Sequence, residues 1–190
     1  YLYSFCAKGS LVLEKDKFSS GLSGSCYRIK NINSNGNSLS IDASKQMIFK
    51  SVRLFKTNAY EVGLSSFVDL QELKLSLFFE FEKCPHIHPL ICLVVSDEKD
   101  KLNVPVGYLC EEAELGSLKE FLVSHVLFGN YACFLRGIFY IAEAIQFLHE
   151  HEIIHDDIYT GNVLLFPDGN EIRMKLIDFG QSKTIEEYKL

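Results

Sequence analysis

Three side chains near the end of this chain have types and spacings that could move a phosphoryl group. Asp157 and Asn162 stand five apart, and Asp178 follows sixteen residues later. Each lies beside a β-like apolar run, Val163–Phe166 or Met174–Ile177. Transfer from a magnesium nucleotide needs one carboxylate to accept or orient the proton of the attacking hydroxyl. It also needs oxygen ligands for the hard cation that bridges the phosphates, and an amide oxygen and a second carboxylate supply them. Asp and Asn are also ordinary turn residues, and Asp178, Phe179 and Gly180 alone could close a hairpin. The ordered set of His155, Asp157, Asn162, an apolar run and Asp178 favours the chemical reading.

The elements that must position these groups show in outline. Leu11–Glu14, Cys26–Ile32 and Gln46–Leu54 read as strands, with a polar loop over Asn31–Ser40. Phe67–Phe81 reads as a helix, and Pro85 and Pro89 break the chain after it. Leu90–Val95 and Val104–Cys110 are strand candidates. Gly116 and Ser117 mark a boundary, and Ser117 with Glu120 has the spacing of a capping box for a short helix to about Val123. The clearest helix is Tyr131–His149, where Phe134, Ile138, Ile141, Ile145 and Leu148 recur on one face. A strand-rich half thus leads through a connector to a helical half that opens into the Asp157 loop.

Composition narrows the partners. At 190 residues the chain suits one domain or two small lobes, and 47% hydrophobic residues can fill a core. A net charge of -6, with the acids spread along the chain, argues against a general nucleic-acid or anionic-membrane surface. The six cysteines, Cys6, Cys26, Cys84, Cys92, Cys110 and Cys133, form no Cys-x-x-Cys pair and no zinc-spaced cluster. We read them as reduced thiols of a cytoplasmic protein. The longest apolar segments carry Glu80, Arg136 or Glu143, so none reads as a membrane span. The chain opens on Tyr1 rather than Met, and we expect it to be a piece of something longer.

From about Leu11 to Ser182 the chain resembles the front part of a eukaryotic-type protein kinase domain. His155 to Asn162 is similar to the catalytic loop, and Asp178 to Gly180 to the Asp-Phe-Gly element. Ser19 to Tyr27 resembles the glycine-rich loop, with Gly21 and Gly24 in the second and third glycine places, Ser19 in the first and Cys26 where a valine usually covers the adenine. Met47 to Lys50 resembles the third-strand lysine element. The resemblance implies an α+β fold: an antiparallel β small lobe with one main helix (about 1–110), a hinge (about 111–116) and the start of a helical large lobe (about 117–190). It implies ATP and Mg2+. Asp157 would orient the hydroxyl, Asn162 and Asp178 would hold metal, and Lys50 would reach the phosphates. The Glu111 carbonyl and the Ala113 backbone would meet the adenine edge. Glu72 fits the glutamate that pairs with Lys50 better than Glu80, which lies too close to the following loop. His155 would be structural, and the remaining histidines read as ordinary loop or helix-end residues.

Departures from the family pattern bear on activity. Asp156 replaces the arginine that clamps a phosphorylated activation loop, so the resemblance implies that this control is absent. Tyr159 stands where serine/threonine kinases carry a lysine toward the γ-phosphate, and a neutral phenol supplies no charge there. The chain given stops ten residues past Gly180, before the segments that read protein substrate. The leading expectation is an ATP- and magnesium-dependent protein kinase acting on a protein hydroxyl, serine or threonine. A kinase-like regulator docked on another kinase and a small-molecule phosphotransferase are the alternatives. No nucleic-acid or membrane partner is expected.

Overall fold

The computed structural model describes residues 4–7, 11–14, 19–21, 24–32, 45–51, 54–57, 61–64, 67–78, 83–95, 105–124, 131–169 and 171–189. The chain forms two compact bodies, Tyr1–Leu70 with Leu90–Glu112, and Gln71–Pro89 with Ala113–Leu190.

The first body is built on strands β1 (Ser4–Ala7), β2 (Leu11–Leu13), β3 (Ser19–Gly21), β4 (Gly24–Ile32), β5 (Met47–Ser51), β6 (Leu54–Thr57) and β7 (Glu61–Leu64). After helix α1 (Phe67–Phe78) come β8 (Cys92–Val95) and β9 (Pro105–Glu111). Seven of these strands form one sheet in the order β1-β8-β9-β5-β4-β2, with β3 also paired to β4. Its pairings are antiparallel except β1 on β8, which is parallel. Ile29, Met47, Phe49, Cys92, Val94 and Leu109 form its core. Met47 with Phe49, and Cys92 with Val94, repeat at the period of two that sends alternate side chains to one face.

Two features were not foreseen. The strand expected over Gln46–Leu54 is β5, which ends at Ser51, and Leu54 opens β6, paired antiparallel with β7. Such a four-residue hairpin carries too little periodicity to announce itself. The parallel partner of β1 lies far along the chain, out of reach of a local pattern.

The second body takes α1 from Gln71 onward and adds α2 (Leu118–Ser124), α3 (Tyr131–Glu150), β10 (Ile153–Ile154), β11 (Val163–Asp168), β12 (Glu171–Leu176), β13 (Lys183–Thr184) and α4 (Ile185–Tyr188). β11 and β12 form a hairpin, and β10 pairs with β13. Leu75, Ile87, Leu148, Ile153, Leu165 and Leu176 are almost wholly buried in one core. Each such side chain stabilises the fold by about 1.5–3 kcal/mol relative to exposure. The 83–90 loop is fastened to that core by His88 N–H on the Leu176 carbonyl at 3.0 Å and Leu176 N–H on the His86 carbonyl at 2.9 Å.

The capping box forms as the sequence predicts. Ser117 N–H and its hydroxyl both donate to Glu120 Oε2 at 2.8 Å, and Glu120 N–H donates to Ser117 Oγ at 3.2 Å. These donors hold the Glu120 carboxyl below its ordinary pKa. Gly116 enters the cap at φ 71, a left-handed value that costs glycine little.

One helix assignment needs correction. Ile138, expected on the buried face of α3, is 50% exposed. Gly137 and Ala144 are buried instead, and a Cβ on Gly137 would run into the Met174 thioether of β12. The small residues let the helix approach the hairpin, which rotates Ile138 outward. Leu135, Ile138 and Phe139 then leave an apolar outer stripe, with Phe139 70% exposed. We expect residues 1–190 on their own to bind an apolar dye or to self-associate. A monodisperse, dye-silent monomer in solution would contradict this.

Candidate active site

The centre of the site is a single amide side chain. β10 delivers the chain to His155, the loop turns through Asp157, and a 3-10 turn over Thr160–Asn162 leads into β11. Asn162 is buried at the end of that turn. Its Nδ2 donates to the Asp157 carbonyl and to Asp157 Oδ2, both at 2.9 Å. Its own carbonyl accepts Ile177 N–H at 3.0 Å. Asn162 therefore ties the catalytic-loop candidate to the residue just before Asp178. With Nδ2 committed to Asp157, Oδ1 is the atom that can meet a cation.

His155 supports the loop from beneath. Only 2% of it is exposed. Asp157 N–H donates to Nδ1 at 3.3 Å, so the other ring nitrogen, Nε2, carries the proton and donates to the Ile177 carbonyl at 3.0 Å. Burial pushes the His155 pKa down, against smaller opposing effects of the Ile177 carbonyl, Asp178 and Asp157. The ring sits 5.1 Å, centroid to centroid, from that of Phe179, itself buried. A neutral ring is what this environment favours.

The Asp178 backbone adopts φ 65, and Asp156 adopts φ 61. Non-glycine residues are uncommon there, and Asp tolerates it better than most. Gly180 N–H donates to Asp178 Oδ1 at 3.3 Å, which sets the carboxylate at the start of the following turn. The segment after Gly180 is tied down at several points. Ser182 Oγ donates to the His155 carbonyl at 3.1 Å, and Gln71 Nε2 donates to the Ser182 carbonyl at 3.1 Å. Asp156 Oδ2 accepts from Lys183 Nζ at 2.9 Å, on the surface, and this bond raises the Lys183 pKa.

The remaining candidates lie in the sheet of the first body, except Glu72 and Ala113, which belong to the second. Ser19 and Gly21 lie on β3 opposite Cys26 and Gly24 on β4, and residues 22–23 are outside the described residues. Lys50 on β5 pairs with Cys26 on one side and Tyr108 on the other. Its Nζ lies 5.4 Å from the centroid of the Tyr108 ring. Glu111 closes β9 with its carboxylate 2.9 Å from Lys45 Nζ. The Ala113 carbonyl accepts Gly116 N–H at 3.0 Å. Glu72 is buried on α1; Glu80 lies outside the described residues.

Sequence reasoning missed three supporting contacts. Arg28 Nε reaches both Glu112 oxygens, at 2.9 and 3.0 Å, and Nη2 donates to Oε1 at 2.6 Å. Gln71 on Ser182 and Lys183 on Asp156 are the others. Each joins residues distant in sequence, and no local pattern marks them. His86, read as an ordinary loop residue, stacks on Tyr140 at 4.3 Å and pairs with Glu143 at 2.9 Å.

Among the described residues no group of three or more His, Cys, Asp or Glu side chains forms a metal cage. Asn162 and Asp178 nonetheless fit magnesium. That cation dehydrates reluctantly and takes one or two protein oxygens, completing its shell with phosphates and water. Among the described residues no helix is long and apolar enough to cross a membrane.

A family model for the protein kinase domain matches residues 70–190, well over half of the chain. The chain is 28% identical over 142 residues to a probable cyclin-dependent kinase 10 of Dictyostelium discoideum, covering 75% of this chain and 35% of that protein. It is 27% identical over 148 residues to a probable serine/threonine-protein kinase mkcC of the same organism, covering 78% and 14%. It is 31% identical over 146 residues to the serine/threonine-protein kinase STE20 of Eremothecium gossypii, covering 70% and 14%. The chain thus spans about a third of the first relative and about a seventh of the other two.

The protonation of His155 gives a test of the loop. Its folded pKa lies below the ordinary value of about 6.5, so on acidification the unfolded chain takes up the proton first. The stability tied to the neutral ring is present above that value and lost as pH falls below it. A proton on Nδ1 would also confront Asp157 N–H with a second donor. His86 is depressed by burial too and works in the same direction. Thermal stability should therefore fall as pH drops below about 6.5, and His155→Gln should flatten part of that fall. A variant whose profile matches the parent would contradict this.

Proposed function

Because the chain belongs to the protein kinase domain family, we propose that the protein it comes from is an ATP- and magnesium-dependent kinase acting on protein serine or threonine. The observation that carries the proposal is the Asn162 clamp. One amide holds the Asp157 carboxylate by Nδ2, while its backbone carbonyl holds Ile177 beside Asp178. Phosphoryl transfer asks little of a protein beyond positioning and charge, and this arrangement supplies both.

The Asp157 carboxylate receives or orients the proton of the acceptor hydroxyl. Its bond from Asn162 keeps one oxygen occupied and leaves the other for the substrate. Asn162 Oδ1 and the Asp178 carboxylate would hold magnesium, which when bound neutralises charge on the phosphate oxygens. His155 keeps the loop in place without exchanging protons. The roles that family resemblance gives Lys50, Ser19, Gly21, Gly24, Cys26, Glu72, Glu111 and Ala113 are part of this proposal. The relatives named serine/threonine kinases support the acceptor class. Cys26, Cys84, Cys92, Cys110 and Cys133 are in no disulfide among the described residues, which suits a reducing compartment such as the cytoplasm.

Asp157→Asn in the full-length protein is expected to lower transfer by about a thousandfold while nucleotide affinity stays within a few-fold. Unchanged transfer would sink the role given to Asp157. A parent protein that binds magnesium nucleotide and transfers nothing would instead favour the regulator reading, with Asp156 and Tyr159 as its marks.

A further inference from the structure

Tyr159 differs sharply in chemistry from the lysine that serine/threonine kinases carry at this place. Its backbone is extended, with φ -153 and ψ 171, at the head of the 3-10 turn Thr160–Asn162. The Tyr159 carbonyl accepts Asn162 N–H at 2.9 Å and closes that turn. Its side chain makes no capping hydrogen bond to it. The ring lies against Gly161 instead. A Cβ placed on Gly161 would stand 2.5 Å from ring Cε2 and 2.8 Å from both Cζ and the hydroxyl oxygen. Those separations are far inside van der Waals contact, so the far end of the ring fills the space a side chain at 161 would need. The glycine and the tyrosine form one packed unit between Asp157 and Asn162.

We infer that Tyr159 is a positioning residue, whose ring, seated on Gly161, holds the turn that sets Asn162 and, through Asn162 Nδ2, the Asp157 carboxylate. The kinetic consequences rest on the phosphoryl-transfer reading above; the structural ones do not. The turn has no side-chain cap, and the dispersion contact of the ring with Gly161 adds a restraint to the backbone bond that closes it. About half of Tyr159, 51%, stays exposed, as does 49% of Ile158. The loop is thus fixed without any cation at position 159. The work is assigned to the aromatic ring, not to its hydroxyl.

The test uses the full-length protein with Tyr159→Phe, Tyr159→Ala, Gly161→Ala and the double variant Tyr159→Ala with Gly161→Ala. Two quantities are read: hydrogen exchange of the Asn162 amide, and phosphate transfer as kcat and KM. Tyr159→Phe should stay within about twofold of the parent in both, because the ring remains. Tyr159→Ala and Gly161→Ala should each speed exchange and lower kcat by about tenfold, with KM for nucleotide little changed. The double variant should be no worse than either single one, because the two changes remove the same contact. Unchanged exchange in Tyr159→Ala overturns the inference. So does a Phe variant as impaired as the Ala variant, which would put the function in the hydroxyl. Exchange that responds as expected in a protein that transfers no phosphate upholds the positioning role and removes the kinase reading instead.

Discussion

Everything in the candidate site hangs on the side chain of Asn162. It is buried, and a buried amide must find partners or cost about 1–3 kcal/mol for each one left unmet. Its NH2 group meets that demand on Asp157, once at the backbone and once at the carboxylate. The result is a carboxylate whose orientation is fixed before any substrate arrives. Preorganised charge of this kind lowers a barrier because nothing has to reorganise during the reaction.

The clamp is built on the two ends of a paired hairpin. β11 begins at Val163, immediately after Asn162, and β12 ends at Leu176, just before Ile177. Val163 pairs with Leu176 across the hairpin. The two ends of the proposed site are therefore the two ends of one antiparallel pair, and Leu165 and Leu176 anchor it in the core. α3 packs on the same hairpin, with Gly137 against Met174 permitting the close approach. His155 then fills the space under the loop with a neutral ring that bonds upward to Asp157 and across to Ile177. Ser182, held by Gln71 from α1, closes the arrangement from the other side.

Much of this was legible in the sequence because it is local. Asp157, Asn162 and Asp178 sit beside apolar runs that read as strands, and those runs fall on β11 and β12. The Ser117 and Glu120 cap is a spacing rule that the structure obeys. The rest depended on partners distant along the chain. Arg28 meets Glu112, β1 meets β8, and Lys183 meets Asp156, and no periodicity encodes such pairs. The misplacement of Ile138 has a similar origin. Helical spacing places residues on a face, but the small residues Gly137 and Ala144 decide which face the hairpin accepts. Asp156 was read as the loss of a phosphate clamp; the structure adds that its carboxylate faces a lysine of the segment after Gly180.

The most direct measurement is a crystal structure of the full-length protein with Mn2+ and a non-hydrolysable ATP analogue, read by manganese anomalous scattering. We predict an anomalous peak within bonding distance of Asn162 Oδ1 and the Asp178 carboxylate, with Asp157 still held by Asn162 Nδ2. Bound nucleotide whose metal lies on other residues, or an Asn162 turned away from Asp157, would contradict it.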